Sequence, residues 1–402
     1  MNTLLTPSLI TKEALVILEN NLVMAKKVRR DYDKYFGKSL PTVGKIGDTL
    51  TIRKPNRFTV RTNSTLSPQN IVEPSTSIVI DKVAGVDFSF TSRELTLNIE
   101  EFSERYLKPA MATIANKIDF DLLSLYKDIY NQVGVPRTTP ATFAALAATT
   151  RRLNEEAAPK DRDRHGIIDP AAEVTLADAF KAFFNPNRAI SDQYEDAEIG
   201  RVGGIGWSMD QNVNLHTTGT SDNSTPAVLA YVANASTISI DGLDASVTLK
   251  KGDTFTIAGV FAVNPQSRQS TGVLRQIVVT ADTTATGGGA MATLPISPAL
   301  NATGAFQNVT VLPVDNDLIT LFDPSAATST QNLAFHKDAF ALVTVPLELP
   351  EGVHFAARDS YKGVNMRIVR QYTITDDAIP TRIDVIYGVK TLYPELAVRL
   401  AG

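Results

Sequence analysis

One long amphipathic stretch, residues 96–130, constrains the fold of this chain more than any other feature of its sequence. Apolar or small residues recur there every three or four positions, the spacing of one helical face. They are Ile99, Phe102, Tyr106, Ala110, Ile114, Ile118, Leu122, Leu125 and Ile129. A helix over this span would be about 50 Å long. Pro109 lies inside it and predicts a bend, because proline donates no backbone hydrogen bond.

Length and composition limit the class of protein. The chain has 402 residues, enough for two or three domains, and its 43% hydrophobic and 20% charged residues predict a globular, soluble protein. The absence of cysteine excludes disulfide bonds, thiolate metal sites and a cysteine nucleophile. The N-terminus lacks the basic start and apolar core of a signal peptide, and no apolar run reaches the ~20 residues that span a bilayer. We therefore expect synthesis in the cytoplasm and no membrane partner.

The charge is distributed unevenly along the chain. The net charge of −4 argues against a dedicated nucleic-acid-binding protein. Residues 1–61 contain 12 Lys/Arg and 5 Asp/Glu, whereas the remaining residues contain 27 and 38, so the net charges are +7 and −11. A basic leading segment on an acidic body suits head-to-tail contact between copies of the chain. The alternative interpretation is that the charges of both segments only face solvent and bind no partner.

The first eighty residues predict a helix followed by a loop. Residues 8–30 have an amphipathic pattern with Ser8 as a possible cap. The apolar face of this helix, which must pack on the body or on a neighbour, consists of Leu15, Leu18, Leu22, Ala25 and Val28. Glycines and prolines then punctuate residues 37–90, where Thr49–Arg53 and Phe58–Arg61 alternate as strands do. Because residues 40–60 contain few large apolar side chains, they predict a projecting two-stranded loop.

The middle and the end of the chain differ in pattern. Residues 134–222 predict an α/β domain whose helix is capped by Thr139 or Thr142 and ends at Pro159. Residues 223–333 contain eleven charged residues and no glutamate, and their short β runs are spaced as in a small barrel or sandwich. This segment therefore predicts an inserted all-β domain. The stretch NLAFHKDAFALVTVPLELP from residue 332 predicts a return to helix, and strands close the chain.

No group of residues predicts catalysis or a metal site. Asp161, Asp163 and His165 alternate with two arginines, which would repel a cation. The other three histidines lie at no ligand spacing with carboxylates and are interpreted as surface or structural residues: His216, His336 and His354. Neither a phosphate-binding loop nor a nucleophile elbow is present. We therefore expect no enzyme activity, no cofactor and no bound metal.

Several stretches resemble a known family along nearly the whole chain. They are LLTPSLITKEALVILENNL, GDTLTIRKP, NIEEFSERYLKP, NLAFHKDAFAL and RIDVIYGVKTLYPELAVRL. They look like segments of the tailed-phage major capsid protein, whose Hong-Kong-97-type fold is also used by encapsulin shells. KKGDTFTIAGVFAVNP is similar to the insertion of short-tailed Salmonella-type phage coat proteins. The resemblance implies an α+β fold with an N-terminal arm, an extended loop, a peripheral domain, an axial domain and an inserted β-barrel.

The resemblance also implies domain bounds and residue roles. The arm would be 1–36, the loop 37–80, the peripheral domain 81–133 with 375–402, the axial domain 134–222 with 334–374, and the barrel 223–333. Arm residues would be Leu15, Leu18 and Leu22, and spine-helix residues would be Phe102, Tyr106, Pro109, Ile118 and Leu122. The loop would contact an adjacent subunit through Arg53, Lys54, Arg57 and Arg61. The family's insertion can carry a long loop across capsomer two-folds, for which residues 232–237 leave no room.

The implied function is that of a major capsid protein. Its expected partners are further copies in hexamers and pentamers, a scaffolding protein, a portal, a decoration protein and packaged double-stranded DNA that it contacts without sequence specificity. Two alternatives stay open at this point. An encapsulin-like compartment would share the fold but usually lacks the β insertion. A hydrolase that binds polysaccharide through the β domain would need an acidic pair or a nucleophile.

Overall fold

A computed structural model describes residues 7–32, 49–61, 64–66, 68–69, 71, 73–91, 103–180, 200–220, 225–323 and 325–402. The helices are α1 (Pro7–Asn21), α2 (Lys108–Leu123), α3 (Phe143–Glu155) and α4 (Pro170–Phe180). The first eight strands are β1 (Thr49–Arg53), β2 (Ser75–Val79), β3 (Lys82–Thr91), β4 (Gln132–Gly134), β5 (Arg164–Ile168), β6 (Arg201–Val202), β7 (Ile205–Met209) and β8 (Leu215–Thr217). The next eight are β9 (Ala227–Ala230), β10 (Thr237–Asp241), β11 (Thr248–Leu249), β12 (Thr254–Val263), β13 (Ser270–Val279), β14 (Thr283–Thr284), β15 (Met291–Ser297) and β16 (Ile319–Leu321). The last six are β17 (Thr328–His336), β18 (Phe340–Val345), β19 (Phe355–Tyr361), β20 (Val364–Arg370), β21 (Ala378–Thr391) and β22 (Ala397–Ala401).

The chain divides into two compact units. The first unit consists of Met1–Lys54, Ser75–Leu122 and Phe340–Leu392. The second unit consists of Pro55–Pro74, Leu123–Ala339 and Tyr393–Gly402. Each unit has its own sheet, so we describe them separately.

The sheet of the first unit is built around the long strand β21. All its pairings are antiparallel: β21 pairs with β3, β18 and β20, and β20 pairs in turn with β19. Helix α1 packs against β19 and β20. The apolar residues that predicted a helical face at 114–122 are buried in this unit, among them Ile114, Ile118 and Leu122.

The long predicted helix is not a single regular α-helix. A π-helical turn at Ser103–Leu107 precedes α2, and a 3₁₀ turn at Ser124–Asp128 follows it. Pro109 is the second residue of α2 and cannot donate a backbone hydrogen bond. The bend predicted there takes the form of a change from π-helix to α-helix just before this residue. Ile99 and Phe102 lie outside the described residues.

The N-terminal helix ends nine residues before its predicted end. It stops at Asn21, and residues 22–30 are not helical. The backbone N–H groups of Val23 and Ala25 donate to the Asp119 carboxylate at 2.7 and 2.8 Å. Arg29 then bonds to β18 through its own N–H and C=O groups. The amphipathic pattern of residues 8–30 did not predict that the helix ends at Asn21. The residues that hold the chain after Asn21 lie far away in sequence, so no local pattern reports them.

The sheet of the second unit carries the helices α3 and α4. Its strand order is β4-β22-β17-β5-β7-β6, and β8 pairs with β17. Thr142 caps α3 as predicted, because its side chain accepts the Ala145 N–H. The core beneath the helices contains Leu153, Leu176, Trp207 and Val398.

The predicted helix at residues 332–350 is wrong. The segment forms β17, a 3₁₀ turn at Lys337–Ala339, and β18. Both strands are buried along most of their length. Because a strand buried on both faces shows no alternation, its apolar run resembles that of a buried helix.

The sheets also overturn part of the predicted domain grouping. Residues 340–374 were grouped with 134–222, but β18, β19 and β20 lie in the sheet of β3 and β21. Residues 375–402 were kept together, but β22 pairs with β17 and β4 in the second unit. Apolar patterns identify strands without identifying their partners, which is why these bounds could not be derived from the sequence.

Residues 225–323 form a closed antiparallel barrel. Its strand order is β16-β12-β13-β15-β10-β9. The sheet closes between β9 and the residues before β16, where the Val228 N–H donates to the Asp317 carbonyl at 2.9 Å and the Asn316 N–H donates to the Val228 carbonyl at 2.8 Å. The interior is filled by apolar side chains such as Ile240, Phe255, Ile277 and Leu294.

The insertion ends earlier than the predicted residue 333. Strand β17 begins at Thr328 and pairs with β5, β8 and β22, so it belongs to the host sheet. The chain leaves and re-enters this sheet at adjacent points, where the Thr218 N–H donates to the Ala327 carbonyl at 3.0 Å and the Ala326 N–H donates to the Gly219 carbonyl at 2.8 Å. Gly219 is required there, because a side chain would collide with the Thr248 carbonyl oxygen.

Residues 225–323 expressed alone should fold as a barrel. A closed barrel leaves few open strand edges, and a segment of about 100 residues has the size of an ordinary domain. We expect a β-type circular dichroism spectrum and one cooperative thermal transition. The same fragment with Ile257→Asp, a change at a fully buried position, should lose that transition. A disordered spectrum for the unmodified fragment would show that the host sheet holds the segment in shape.

Candidate functional site

The predicted extended loop begins with a two-stranded ribbon in the first unit. Strand β1 pairs antiparallel with β2, from Thr49 opposite Val79 to Arg53 opposite Ser75. The prediction that Phe58–Arg61 forms a strand is wrong. The backbone of Thr59 instead bonds to the side chain of Gln69, and the Phe58 carbonyl accepts from Arg268. Side chains therefore replace the neighbouring strand that the alternation predicted.

Arg57 and Arg61 of the loop are bound within their own chain. Arg57 Nη2 lies 3.3 Å from Glu395 Oε1, and its guanidinium lies 5.9 Å from the centre of the Phe306 ring. Arg61 Nη1 donates to the Thr65 carbonyl at 2.6 Å. Arg53 ends β1 and is exposed, and Lys54 follows it. Contact of these four residues with a neighbouring subunit stays a prediction.

The three arm leucines are core residues of the first unit. Leu15, Leu18 and Leu22 are almost completely buried. The turn after α1 is held by Arg30, whose Nη1 lies 2.9 Å from Glu19 Oε2 and whose Nε donates to the Ala25 carbonyl at 2.6 Å. The sequence left open whether α1 packs on its own chain or on a neighbouring subunit. The structure shows that it packs on its own chain.

The spine residues divide between core and surface. Ile118 and Leu122 are completely buried, whereas Pro109 is exposed. Tyr106 is partly exposed but packs edge-on against Phe90, with ring centres 4.8 Å apart. These positions explain how the helix is anchored. Phe102 lies outside the described residues.

Two aspartates on α2 were not singled out by the sequence analysis. Asp119 is buried and accepts the two N–H groups of the turn after α1. Asp121 Oδ2 accepts from the Tyr387 hydroxyl at 2.7 Å and lies 3.3 Å from Lys82 Nζ. Burial opposes ionisation of Asp121, but the hydrogen bonds from Tyr387 and Lys117 lower its pKa below the ordinary value. The only sequence signal was two acids between apolar positions of one helix.

A second group of residues missed by the sequence analysis joins the barrel to the host sheet inside the second unit. We call it the barrel seam: Gln132, Glu156, His216 and Arg399 on the host side, and Asp253, Arg275, Gln276 and Asp323 on the barrel side. All eight residues are buried. A buried polar group costs free energy unless it is hydrogen-bonded, so the pairing of these groups determines whether the seam is stable.

The central contact of the barrel seam is a buried ion pair. Arg275 Nη1 lies 2.6 Å from Glu156 Oε1. The Arg275 guanidinium also lies 4.5 Å from the centre of the Tyr130 ring. Burial, reinforced by the charge of Glu156, raises the pKa of Tyr130 well above its ordinary value, so the ring stays neutral.

Two glutamines form the next contact of the seam. The Gln132 N–H donates to Gln276 Oε1 at 2.8 Å, and Gln276 Nε2 donates back to the Gln132 carbonyl at 2.7 Å. Gln132 Nε2 donates to Asp323 Oδ1 at 2.8 Å. The side chain of Gln276 therefore bonds to both backbone groups of Gln132 in β4, as the backbone of a neighbouring strand would.

The remaining contacts surround His216 and Arg399. His216 Nε2 lies 2.8 Å from Asp253 Oδ1, and its Nδ1 lies 3.0 Å from the Tyr126 hydroxyl. Arg399 Nη1 donates to the Gly252 carbonyl at 2.8 Å. Burial lowers the pKa of Arg399 to about 10, although Asp323 acts in the opposite direction. The interpretation of His216 as structural is in agreement with these contacts.

Asp161 and Asp163 form hydrogen bonds in the structure. Asp161 Oδ2 lies 3.0 Å from His336 Nε2, and the Asp161 Oδ1 atom accepts the Asp163 N–H at 2.9 Å. His354 is exposed. Among the residues that the structure describes, no cluster of three or more histidines and carboxylates could hold a metal ion.

One protein-family model matches this chain along its whole length. The family model described as "P22 coat protein - gene protein 5" matches residues 1–402, the whole chain. The chain belongs to the P22 coat protein family. The predicted function is thereby confirmed: this coat protein is the major capsid protein of a tailed phage and a subunit of a multimeric shell.

The coat protein has the α+β capsid fold that the resemblance implied. A structure from Mycobacterium phage Che8 is 12% identical, with 94% of this chain and 90% of that chain covered and a TM-score of 0.50. A capsid structure of the Cyanophage P-SCSP1u is 11% identical, with coverages of 88% and 83% and a TM-score of 0.44. A virus-like particle from Pyrococcus furiosus is 8% identical, with coverages of 97% and 96% and a TM-score of 0.38. No curated protein sequence gives a significant match.

The coat protein family has a structural role in the shell, and this agrees with the expected lack of enzyme activity. The encapsulin-like alternative is no better supported than the phage coat protein. In the part of the chain that the structure describes, no helix has the length and apolar character needed to cross a membrane.

Asp323→Asn should change how the stability of the coat protein depends on pH. Burial raises the pKa of Asp323 above its ordinary 3.8, although the hydrogen bond from Gln132 lowers it. The contribution of Asp323 to stability is therefore complete below pH 3.8 and is lost as the pH rises through the raised pKa. We expect the thermal midpoint of the variant, relative to wild type, to rise as the pH increases above about 4.

The control for this prediction is Asp315→Asn, which changes an exposed aspartate of the same barrel. Its midpoint should follow that of wild type at every pH. A difference between Asp323→Asn and wild type that stays constant with pH, or falls as the pH rises, would contradict the assignment.

Proposed function

We propose that this coat protein assembles into a closed icosahedral shell of hexamers and pentamers that encloses packaged double-stranded DNA. The whole-chain match to the P22 coat protein family carries this proposal. A scaffolding protein sets the size of the shell, a portal occupies one vertex, and a decoration protein can bind outside. The subunit is made in the cytoplasm of the host bacterium and ends in the virion capsid.

Each part of the chain has a proposed place in the shell. The first unit supplies the peripheral domain with its spine helix, the α/β part of the second unit supplies the axial domain at capsomer centres, and the barrel faces outward. The extended loop lies over an adjacent subunit, with Arg53, Lys54, Arg57 and Arg61 on its basic side. The strong bias toward positive charge in residues 1–61 supports contact with the acidic remainder of another copy.

Contact with the packaged DNA is proposed to be weak and independent of sequence. The chain has a net charge of −4, so phosphates would meet only scattered lysines and arginines on the inner face. Tight, sequence-dependent binding of the free subunit in a gel-shift assay would contradict this.

Electron microscopy of the purified coat protein, alone and with its scaffolding protein, tests the proposal. We expect closed shells of uniform diameter, formed above a threshold concentration. A variant with Ile118→Asp, a change in the buried face of α2, should form none and serves as the negative control. Wild-type protein that stays monomeric with its scaffolding protein over a wide range of salt and concentration would refute shell assembly.

A further inference from the structure

The tip of the extended loop, residues 55–71, is organised by one glutamine. The Thr59 N–H donates to Gln69 Oε1 at 2.8 Å, and Gln69 Nε2 donates to the Thr59 carbonyl at 2.6 Å. We call this pair of bonds the Gln69 clasp. It satisfies both backbone groups of Thr59 and joins positions ten residues apart, as a facing strand would.

The start of the tip is attached to the rest of the second unit. Arg57 pairs with Glu395 at 3.3 Å. Arg268 of the barrel donates from Nη2 to the Phe58 carbonyl at 3.2 Å. Two successive residues before Thr59 are therefore held by residues distant in sequence, and the clasp then holds the returning arm of the tip.

The described residues of the tip include four exposed large apolar side chains. Phe58 and Val60, on either side of the clasped Thr59, are 62% and 92% exposed, and Leu66 and Ile71 are 80% and 70% exposed. Four such residues within a short segment leave apolar area in water, which in a soluble subunit marks an interaction surface. The tip therefore presents four large apolar side chains to solvent, and Arg57 and Arg61 also bond within the chain.

Charge indicates which surface the tip meets. Residues 55–71 contain two arginines and no acidic residue. Residues 62–402 have a net charge of −11. Arg57 is paired with Glu395, so the positive charge of the tip comes from Arg61. This charge is complementary to the acidic body of another copy, and the tip is continuous with the loop already proposed to lie over a neighbouring subunit.

We propose that the Gln69 clasp preforms an apolar contact surface, consisting of Phe58, Val60 and Leu66, that binds a second copy of this chain. The inference rests on the proposed shell assembly and names the residues through which the loop acts. Gln69 is a positioning residue. It holds the tip in its contact conformation before the neighbour arrives, so less conformational entropy is lost on binding.

The first test compares full-length Gln69→Ala with wild type and with Gln266→Ala, which truncates an exposed glutamine of the barrel. Light scattering gives the threshold concentration for shell formation, and a thermal melt gives the stability of the subunit. We expect Gln69→Ala to raise the threshold about tenfold with an unchanged melt, because the clasp is exposed and adds little to folding. Amide hydrogen exchange should be faster at Thr59 in this variant and unchanged in Gln266→Ala.

The second test removes the contact surface and leaves the clasp intact. Phe58→Ser with Val60→Ser should raise the threshold at least as much as Gln69→Ala, with wild-type exchange at Thr59. If wild type forms shells and either variant assembles at the wild-type threshold, the inference is overturned while the proposed function stands. If wild type forms no shells, the proposed function itself fails.

Discussion

Glu156→Gln is expected to lower the free energy of unfolding of the coat protein by about 3–5 kcal/mol. Glu156 and Arg275 form an ion pair at 2.6 Å, and both side chains are almost completely buried. Removing the carboxylate charge leaves the Arg275 guanidinium buried without its bonded counter-ion, and only the weaker effect of Glu395 remains. Urea unfolding measures the change, and Glu351→Gln, at an exposed glutamate, is the matched control with no expected effect.

A double replacement separates the cost of an unpaired charge from the strength of the pair. Glu156→Leu with Arg275→Met removes both charges and keeps apolar volume in the seam. We expect it to recover most of the stability lost in Glu156→Gln, because exchanging a buried ion pair for packed apolar groups is often close to neutral. A single variant as stable as wild type would show that water already reaches Arg275.

Asp119→Ala is expected to lower the free energy of unfolding by roughly 3 kcal/mol. The Asp119 carboxylate is the acceptor for the N–H groups of Val23 and Ala25, at 2.7 and 2.8 Å. Without it both donors lose their charged partner, and the Ala25 bond is fully buried. The turn after α1 should loosen, so limited proteolysis should cut residues 22–30 faster than in wild type.

The control for Asp119→Ala is Asp128→Ala. Asp128 lies in the turn that follows α2 and forms a partly exposed ion pair with Lys251 at 3.3 Å. Such pairs contribute at most about 1 kcal/mol. Equal losses of stability in the two variants, or an unchanged cleavage rate at residues 22–30, would contradict the role of Asp119 in closing the turn.

The local patterns of the sequence were sufficient for several elements. The three- and four-residue spacing identified the buried face of α2, and Thr142 was among the predicted caps of α3. Alternation identified β1. The scarcity of charge after residue 223 indicated an all-β segment, because a chain with few charges and regular turn signals buries apolar residues on a closed sheet.

The same patterns failed where a distant residue determined the outcome. The period of α1 continues past Asn21, but the turn there is set by Asp119, 96 residues away from Val23. The Gln69 side chain bonds to the backbone of Thr59, where a strand at Phe58–Arg61 would need a neighbouring strand. No periodicity in the sequence predicts that a glutamine makes such bonds. The barrel seam joins Glu156 to Arg275 across 119 residues, and single charged residues at such separations carry no detectable pattern.

The sequence by itself determined the helices α2 and α3, the strand β1, the segment where charge is excluded, and the family to which the chain belongs. These properties depend on the order of neighbouring residues and on the resemblance carried by whole segments. Only the tertiary structure decided that β18 joins β21, that β22 joins β17, and that a polar seam holds the barrel. Strand partners and buried ion pairs are chosen by contacts between residues far apart in the chain, whose free energies depend on burial that no local pattern records.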